Sequence, residues 1–254
     1  MTPSLETRGL TIRFGGHVAV DHVSSAFFPG ELTAIVGPNG AGKTTYFNLM
    51  SGQLTASDGA LFIEGEDVTR LGAPQRARLG LGRAFQLTNL FPRLSVAENV
   101  RLATQAKAGV HYEMRRPWRA GADIISRADS ALDSVGLLNK RDALASTLSH
   151  GDQRKLEVAM MTALEPSIFM FDEPTAGMSV DEVPVVLDLI ARLKADQTKT
   201  ILLVEHKMDV VRSLADRIIV LTNGQMVADG EPAAVIASPV VQEAYLGLSP
   251  GKAA

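Results

Sequence analysis

The sequence predicts an α/β fold with a mainly parallel sheet, an antiparallel β layer beside it and an inserted helical subdomain. Three observations carry this. Short apolar runs at Leu32–Val36, Ile168–Phe171 and Thr200–Val204 alternate with helical stretches, the pattern of parallel strands joined by crossover helices. Turn residues at Gly15-Gly16 and Asn223-Gly224 sit between strand-like runs and read as hairpins. From about Ser95 to Met161 the periodicity is helical throughout.

The elements follow in order. Leu5–Phe14 and Val18–Phe27 flank Gly15-Gly16. Pro29-Gly30 turns the chain into the buried strand Leu32–Val36, and a Gly-rich loop then leads to a helix over about Lys43–Ser51. Asp58-Gly59 is a turn into a strand at Ala60–Ile63. Ser95, three residues before Glu98, has the spacing of a capping box and opens the helical block. Ile168–Phe171, a helix near Asp181–Ala195 and Thr200–Val204 form strand–helix–strand units. A helix near Met208–Ala215 precedes the hairpin Arg217–Leu221 and Gln225–Ala228. Glu231 to Leu246 reads as helical, interrupted at Pro239. We therefore expect one domain over 1–254, with a helical subdomain at about 95–161 and a C-terminal tail at about 230–254.

Composition narrows the function. The chain has 254 residues, 46% of them apolar, which allows a sizeable core without staples. There are 25 basic and 28 acidic residues, a net charge of −3, which argues against attachment to nucleic acid by bulk charge. The absence of cysteine excludes disulfides and thiolate metal sites. The first nine residues lack the apolar core of a signal peptide, and no apolar run approaches the 18 or so residues of a membrane span.

Gly37-Pro38-Asn39-Gly40-Ala41-Gly42-Lys43-Thr44 fits G-x-x-x-x-G-K-[ST], after an apolar strand and before a helix. The glycines let backbone N–H groups converge on phosphate oxygens, and the helix N-terminus adds partial positive charge there. Lys43 is expected to reach the β- and γ-phosphates and the Thr44 hydroxyl to ligate Mg²⁺, with Thr45 beside it. This makes the expected fold P-loop NTPase-like and the expected ligand a nucleotide with β- and γ-phosphates. Asp172-Glu173 follows the strand Ile168–Phe171, whose carboxyl end opens at a ligand crevice in a parallel sheet. Asp172 can hold Mg²⁺ through its water shell, and Glu173 can polarise the water that attacks the γ-phosphate.

With these motifs in place, the sequence resembles the nucleotide-binding subunits of ABC transporters, a resemblance that implies ATP as the nucleotide. Leu148-Ser149-His150-Gly151-Asp152-Gln153 is similar to the family signature, usually LSGGQ. Gln86, within Arg83-Ala84-Phe85-Gln86, matches the Q-loop glutamine, and His206, within Val204-Glu205-His206, matches the switch histidine. Ala176-Gly177-Met178-Ser179 stands where the D-loop does, and Phe14 where an aromatic residue stacks on adenine. The resemblance implies that Gln86 contacts Mg²⁺ or the attacking water and that His206 contacts the γ-phosphate. It implies that Ser149, His150, Gly151, Asp152 and Gln153 act on the ATP of a second subunit. His150, Asp152 and Ser179 depart from the usual residues at their positions.

Within that family the sequence is similar to the LivG-type branch of branched-chain amino acid importers. Gly30-Glu31-Leu32, Leu90-Phe91-Pro92, Ser95 to Val100 and Ala244-Tyr245-Leu246-Gly247 carry that likeness. It implies an ATPase peripheral to the cytoplasmic face of the inner membrane. Its implied partners are a second ATPase subunit of the LivF type or a second copy, permease subunits reached near Leu87 to Pro92, and indirectly a periplasmic solute-binding protein. Urea or amide import, lipopolysaccharide export and a soluble non-transport ATPase are the alternatives. A catalytically dead partner is disfavoured by the intact Lys43, Asp172, Glu173 and His206. The basic stretch His111 to Arg119, with the single Trp118, reads as a solvated loop broken by Pro117.

Overall fold

The structure is a computed structural model of the chain and describes residues 2–84, 90–109, 119–178, 180, 183–239 and 241–242. It divides into two compact units. The first comprises Met1–Arg83, Ser167–Glu173 and Ala191–Ala254, and the second Ala84–Pro166 and Pro174–Ile190.

The first unit holds two sheets. β1 (Leu5–Phe14) and β2 (His17–Phe27) form an antiparallel hairpin closed at Phe14↔His17. β3 (Leu32–Val36) runs into the glycine-rich loop, and α1 (Lys43–Ser51) leaves it. β4 (Asp58–Ile63) and β5 (Glu66–Asp67) complete the antiparallel layer in the order β2-β1-β4-β5. α2 (Ala73–Arg78) and β6 (Leu81–Ala84) follow.

The second unit is helical. α3 (Val96–Lys107), α4 (Arg119–Ser134) and α5 (His150–Ala163) pack on one another, with 3₁₀ turns at Leu138–Lys140 and Ala145–Thr147 between the last two. Leu132, Val100 and Leu156 are among its fully buried residues. Ser95 caps α3 as its spacing predicts: its hydroxyl accepts from Glu98 N at 3.1 Å, and Ser95 N donates to the Glu98 carboxylate at 3.4 Å. The Asn99 side chain pins the backbone of Phe91, accepting from its N–H at 2.8 Å and donating to its carbonyl at 3.1 Å.

The remaining elements are β7 (Ile168–Asp172), α6 (Val183–Ala195), β8 (Thr200–Val204), α7 (Met208–Leu214), β9 (Arg217–Thr222), β10 (Gln225–Gly230) and α8 (Pro232–Ala237). The six-stranded sheet has the order β10-β9-β3-β8-β7-β6. β3 pairs parallel with β8 and β9, and β7 parallel with β8, while β10 closes the edge antiparallel to β9. β3, β7 and β8 are buried at every position, which explains why they read as unbroken apolar runs. β10 alternates in burial, as an edge strand with one wet face does.

The core of this unit lies between the sheets. Tyr46, Phe47, Leu49 and Met50 of α1 meet Leu10, Val20 and Phe27 of the antiparallel layer and Ile35, Ile168 and Met170 of the parallel sheet. The phosphate-loop helix is thereby held on two sides. At about 1.5–3 kcal/mol for each large apolar side chain buried, this packing far exceeds the intrinsic propensity of a nine-residue helix.

Three elements differ from the sequence expectation. β5, α2 and β6 were not legible: each has six residues or fewer and no alternation to mark it. α8 ends at Ala237, in keeping with the interruption expected at Pro239, which forces Ser238 to extended angles. The stretch expected to continue to Leu246 lies mostly outside the described residues, as do residues 181–182 at the start of the expected Asp181 helix.

Candidate functional site

The loop between β3 and α1 is built from backbone. Gly37, Gly40 and Gly42 carry φ of +154°, +80° and +94°, in the left-handed range. A Cβ at Gly37 would collide with the carbonyl of Leu221, and one at Gly42 with that of Ala19. No residue with a side chain fits either place. The hairpin turn at Asn223-Gly224 buttresses the loop, Gly224 N donating to Ala41 O at 3.0 Å. Gly42 is the N-cap of α1 and offers no side-chain cap, so the first-turn N–H groups face outward as an anion site.

Beside this N-terminus is a groove of about 320 Å³. Its walls are the loop from Asn39 to Thr45 with His17, Val18, Glu173 and Asn223. Lys43 is nearly buried and folds over the loop, donating to Gly37 O at 2.7 Å and Pro38 O at 3.0 Å. Burial pulls its ammonium below the usual lysine range, and the charges of Glu173 and Asp172 oppose that.

Asp172 ends β7 and is 1% exposed. Burial pushes its carboxyl above the usual range, while a 2.6 Å bond from Arg83 Nη2 and the charge of that guanidinium pull it back. Glu173 follows with φ +48°, and its N–H donates to Val204 O at 2.9 Å. Lys43, Thr44, Asp172 and Glu173 thus come from two strand ends of one parallel sheet and gather at its carboxyl edge, where α/β folds bind ligands.

Among the described residues no group of three or more His, Asp or Glu could hold a metal. Mg²⁺ takes one or two carboxylates and completes its shell with phosphate oxygens and water. A hydroxyl at Thr44 and a carboxylate at Asp172 fit that donor set.

The other expected residues fall elsewhere. Phe14 closes the β1–β2 turn, is 49% exposed and is not among the groove-lining residues, whereas His17 and Val18 across the turn are. His206 follows β8, is half exposed and does not line the groove. Its backbone is fixed by Glu205, whose fully buried carboxylate accepts from His206 N at 3.0 Å and Lys207 N at 3.2 Å. Gln86 and Ser179 lie outside the described residues, as do Leu87, Thr88 and Asn89 of the expected contact loop and the stretch from His111 to Trp118.

In the helical unit Ser149 is the N-cap of α5, its hydroxyl accepting from Asp152 N at 3.2 Å. Ser149 and His150 are exposed and Gly151 is buried behind them. Gln153 donates back to Leu148 O at 3.1 Å and fixes the turn. Asp152 accepts from Lys140 and Lys155. His17 and Lys140 give no signal in the sequence, and Arg83 and Glu205, though they stand in the runs that carry Gln86 and His206, have no role readable from those runs, because each acts through a fold contact.

A family model described as "ABC transporter" matches residues 20–176. The chain is 38% identical over 250 residues to the high-affinity branched-chain amino acid transport ATP-binding protein LivG of Escherichia coli K12, covering 96% of this chain and 98% of the relative. A solved ATP-binding cassette of an ABC transporter in its ADP conformation superposes with a TM-score of 0.83 at 27% identity, covering 98% of this chain and all of that one. A dimeric cassette in a post-hydrolysis state, bound to ADP and Pi, gives 0.76 at 25% identity over 90% of this chain and 98% of that one. The family model spans more than half of the chain and the LivG relative matches it nearly end to end, and the chain belongs to the ABC transporter family.

Proposed function

We propose that this chain is the ATP-hydrolysing subunit that energises an importer of branched-chain amino acids. The observation that carries the reading is the near end-to-end similarity to LivG, together with a groove lined by the phosphate loop and by Glu173, which follows the buried Asp172. In this reading the whole chain is one ATPase domain with a helical subdomain. It works at the cytoplasmic face of the membrane with permease subunits and a second ATPase, LivF-like or identical. A periplasmic solute-binding protein delivers the solute. No helix among the described residues is long and apolar enough to cross a membrane; in this reading the transport path belongs to the permease subunits. Phe91, half exposed on a backbone pinned by Asn99, supports a permease contact near Leu90 to Pro92.

The chain's own groups divide the work. N–H groups of the loop and the α1 N-terminus hold the phosphates, and Lys43 leaves its loop carbonyls to meet the β- and γ-oxygens. Thr44, Asp172 and Gln86 would hold Mg²⁺, which when bound neutralises charge on those oxygens. Glu173 orients water toward the γ-phosphate, and His206 steadies that phosphate. Ser149 and the α5 N-terminus present a second anion site to the partner's nucleotide. Positioning and charge compensation supply the rate.

Two measurements test this. Glu173→Gln is expected to keep ATP binding and to lose about 10²–10⁴-fold in turnover, the scale for a positioned base. Unchanged hydrolysis would remove Glu173 from its role. Vesicles carrying the assembled complex are expected to take up leucine on addition of ATP. Uptake of urea instead would replace the solute and leave the ATPase reading intact.

A further inference from the structure

Arg83 lies on β6 with its guanidinium turned inward, 9% exposed. Nη2 donates to Asp172 Oδ2 at 2.6 Å. Nη1 donates to Asn48 Oδ1 and Ser51 Oγ, each at 2.7 Å, and to Gln53 Oε1 at 3.3 Å. The guanidinium carbon is 5.6 Å from the centre of the Phe47 ring. Phe47, Asn48 and Ser51 belong to α1, the helix whose first turn closes the phosphate loop. One buried cation therefore ties the C-terminal half of that helix to the Asp172 carboxylate.

The chemistry of arginine suits this span. A planar fork of five donors can serve a carboxylate and a helix face at once, and a lysine ammonium cannot. The bond to Oδ2 engages one oxygen of Asp172 and fixes the plane of the carboxylate. Groups that hold a metal's ligands in this way commonly matter 10–100-fold to affinity.

We propose that Arg83 is a positioning residue for the metal–nucleotide complex: it sets the Asp172 carboxylate in register with the phosphate-loop helix. The inference rests on the reading of Asp172 as a Mg²⁺-holding group. A purely structural ion pair would also be buried, so the test must separate metal recognition from folding and from nucleotide binding.

The readout is the ratio of ATP affinity in Mn²⁺ to ATP affinity in EDTA, on the full chain carrying Glu173→Gln to stop turnover. Mn²⁺ also gives an electron paramagnetic resonance spectrum sensitive to its ligands. Asp172→Asn is expected to lower the ratio and alter that spectrum. R83M is expected to lower the ratio about tenfold or more and alter the spectrum, with metal-free ATP affinity held within about twofold. R83K restores part of the ratio, because one ammonium can reach Asp172 but not α1 as well. N48A/S51A keeps the arginine and loosens its anchor, and lowers the ratio less.

If Asp172→Asn lowers the ratio and R83M leaves it within about twofold of the parent, Arg83 is structural only and the proposal falls. If R83M weakens metal-free binding as much as metal-bound binding, the proposal falls likewise. If Asp172→Asn itself changes nothing, both the proposal and the reading beneath it are overturned. Should R83M not fold, R83K and N48A/S51A decide: an unchanged ratio in both overturns the proposal, and a lowered one supports it.

Discussion

Glu173 holds φ +48°, a conformation in which Cβ crowds the backbone and which costs an L-residue about 1–2 kcal/mol. The strain sits where the chain leaves β7, and it is held by the bond from Glu173 N to Val204 O. Strain of this kind gathers where a side chain is aimed for a purpose. Glu173→Gly and Glu173→Gln are both expected to lose hydrolysis, but they part in stability. Glycine relieves the strain and loses part of that gain to backbone entropy, for a net of roughly 0.5–1 kcal/mol over glutamine. Thermal melts are expected to place the glycine variant about 1–4 °C above the glutamine variant. A glycine variant that melts lower would show that the Glu173 side chain contributes packing that outweighs the strain. Single residues were unevenly legible. Lys43, Thr44, Asp172 and Glu173 each stand in a short run of chain with its own pattern. Arg83 meets Asp172 across 89 positions of sequence, and no local pattern encodes that meeting.

The α5 N-terminus shows how a departure from a family pattern acts on an element. Asp152 sits in the first turn, where negative charge complements the helix dipole. Partial burial works against its charge, but hydrogen bonds from Lys140 and Lys155 outweigh this and hold its carboxyl below the usual aspartate range. A carboxylate depressed by folding adds stability above its unfolded pKa of about 3.9, and that stability is lost as pH falls through the lower folded value. Lys140 is half exposed, so the pair contributes at the modest scale of surface ion pairs. Asp152→Asn is therefore expected to cost about 1 kcal/mol at pH 7 by denaturant midpoint, with the gap to wild type shrinking below about pH 4. A gap that stays constant with pH would assign the effect to packing instead of charge. Elements, like residues, were legible where the signal is local. The buried parallel strands announce themselves as apolar runs, and Ser95 announces α3 by its cap. β6 reads Leu-Gly-Arg-Ala and is a strand only because the edge of the sheet beside β7 requires one.

At the scale of the whole molecule, the sequence holds one phosphate loop and one run resembling the family signature, in different compact units. In the reading proposed above, each nucleotide needs the phosphate loop of one subunit and the signature of another. Ser149 and His150 are exposed at the N-terminus of α5, so nothing among the described residues of their own unit covers that helix end. ATP then acts as the shared ligand of two chains and stabilises the pair by mass action. Glu173→Gln, which keeps ATP from turning over, turns this into a mass measurement by light scattering with and without ATP and Mg²⁺. A single-chain mass that doubles on adding ATP is expected if the departures at His150 and Asp152 still allow the signature to serve a second copy. A mass that stays single while ATP binds would assign the second half of the site to a different subunit. A LivF-like partner added to the same sample would then be expected to bring the mass to that of a mixed pair. If neither addition changes the mass, the pair forms only on the permease, and the membrane subunits rather than ATP hold the two chains together.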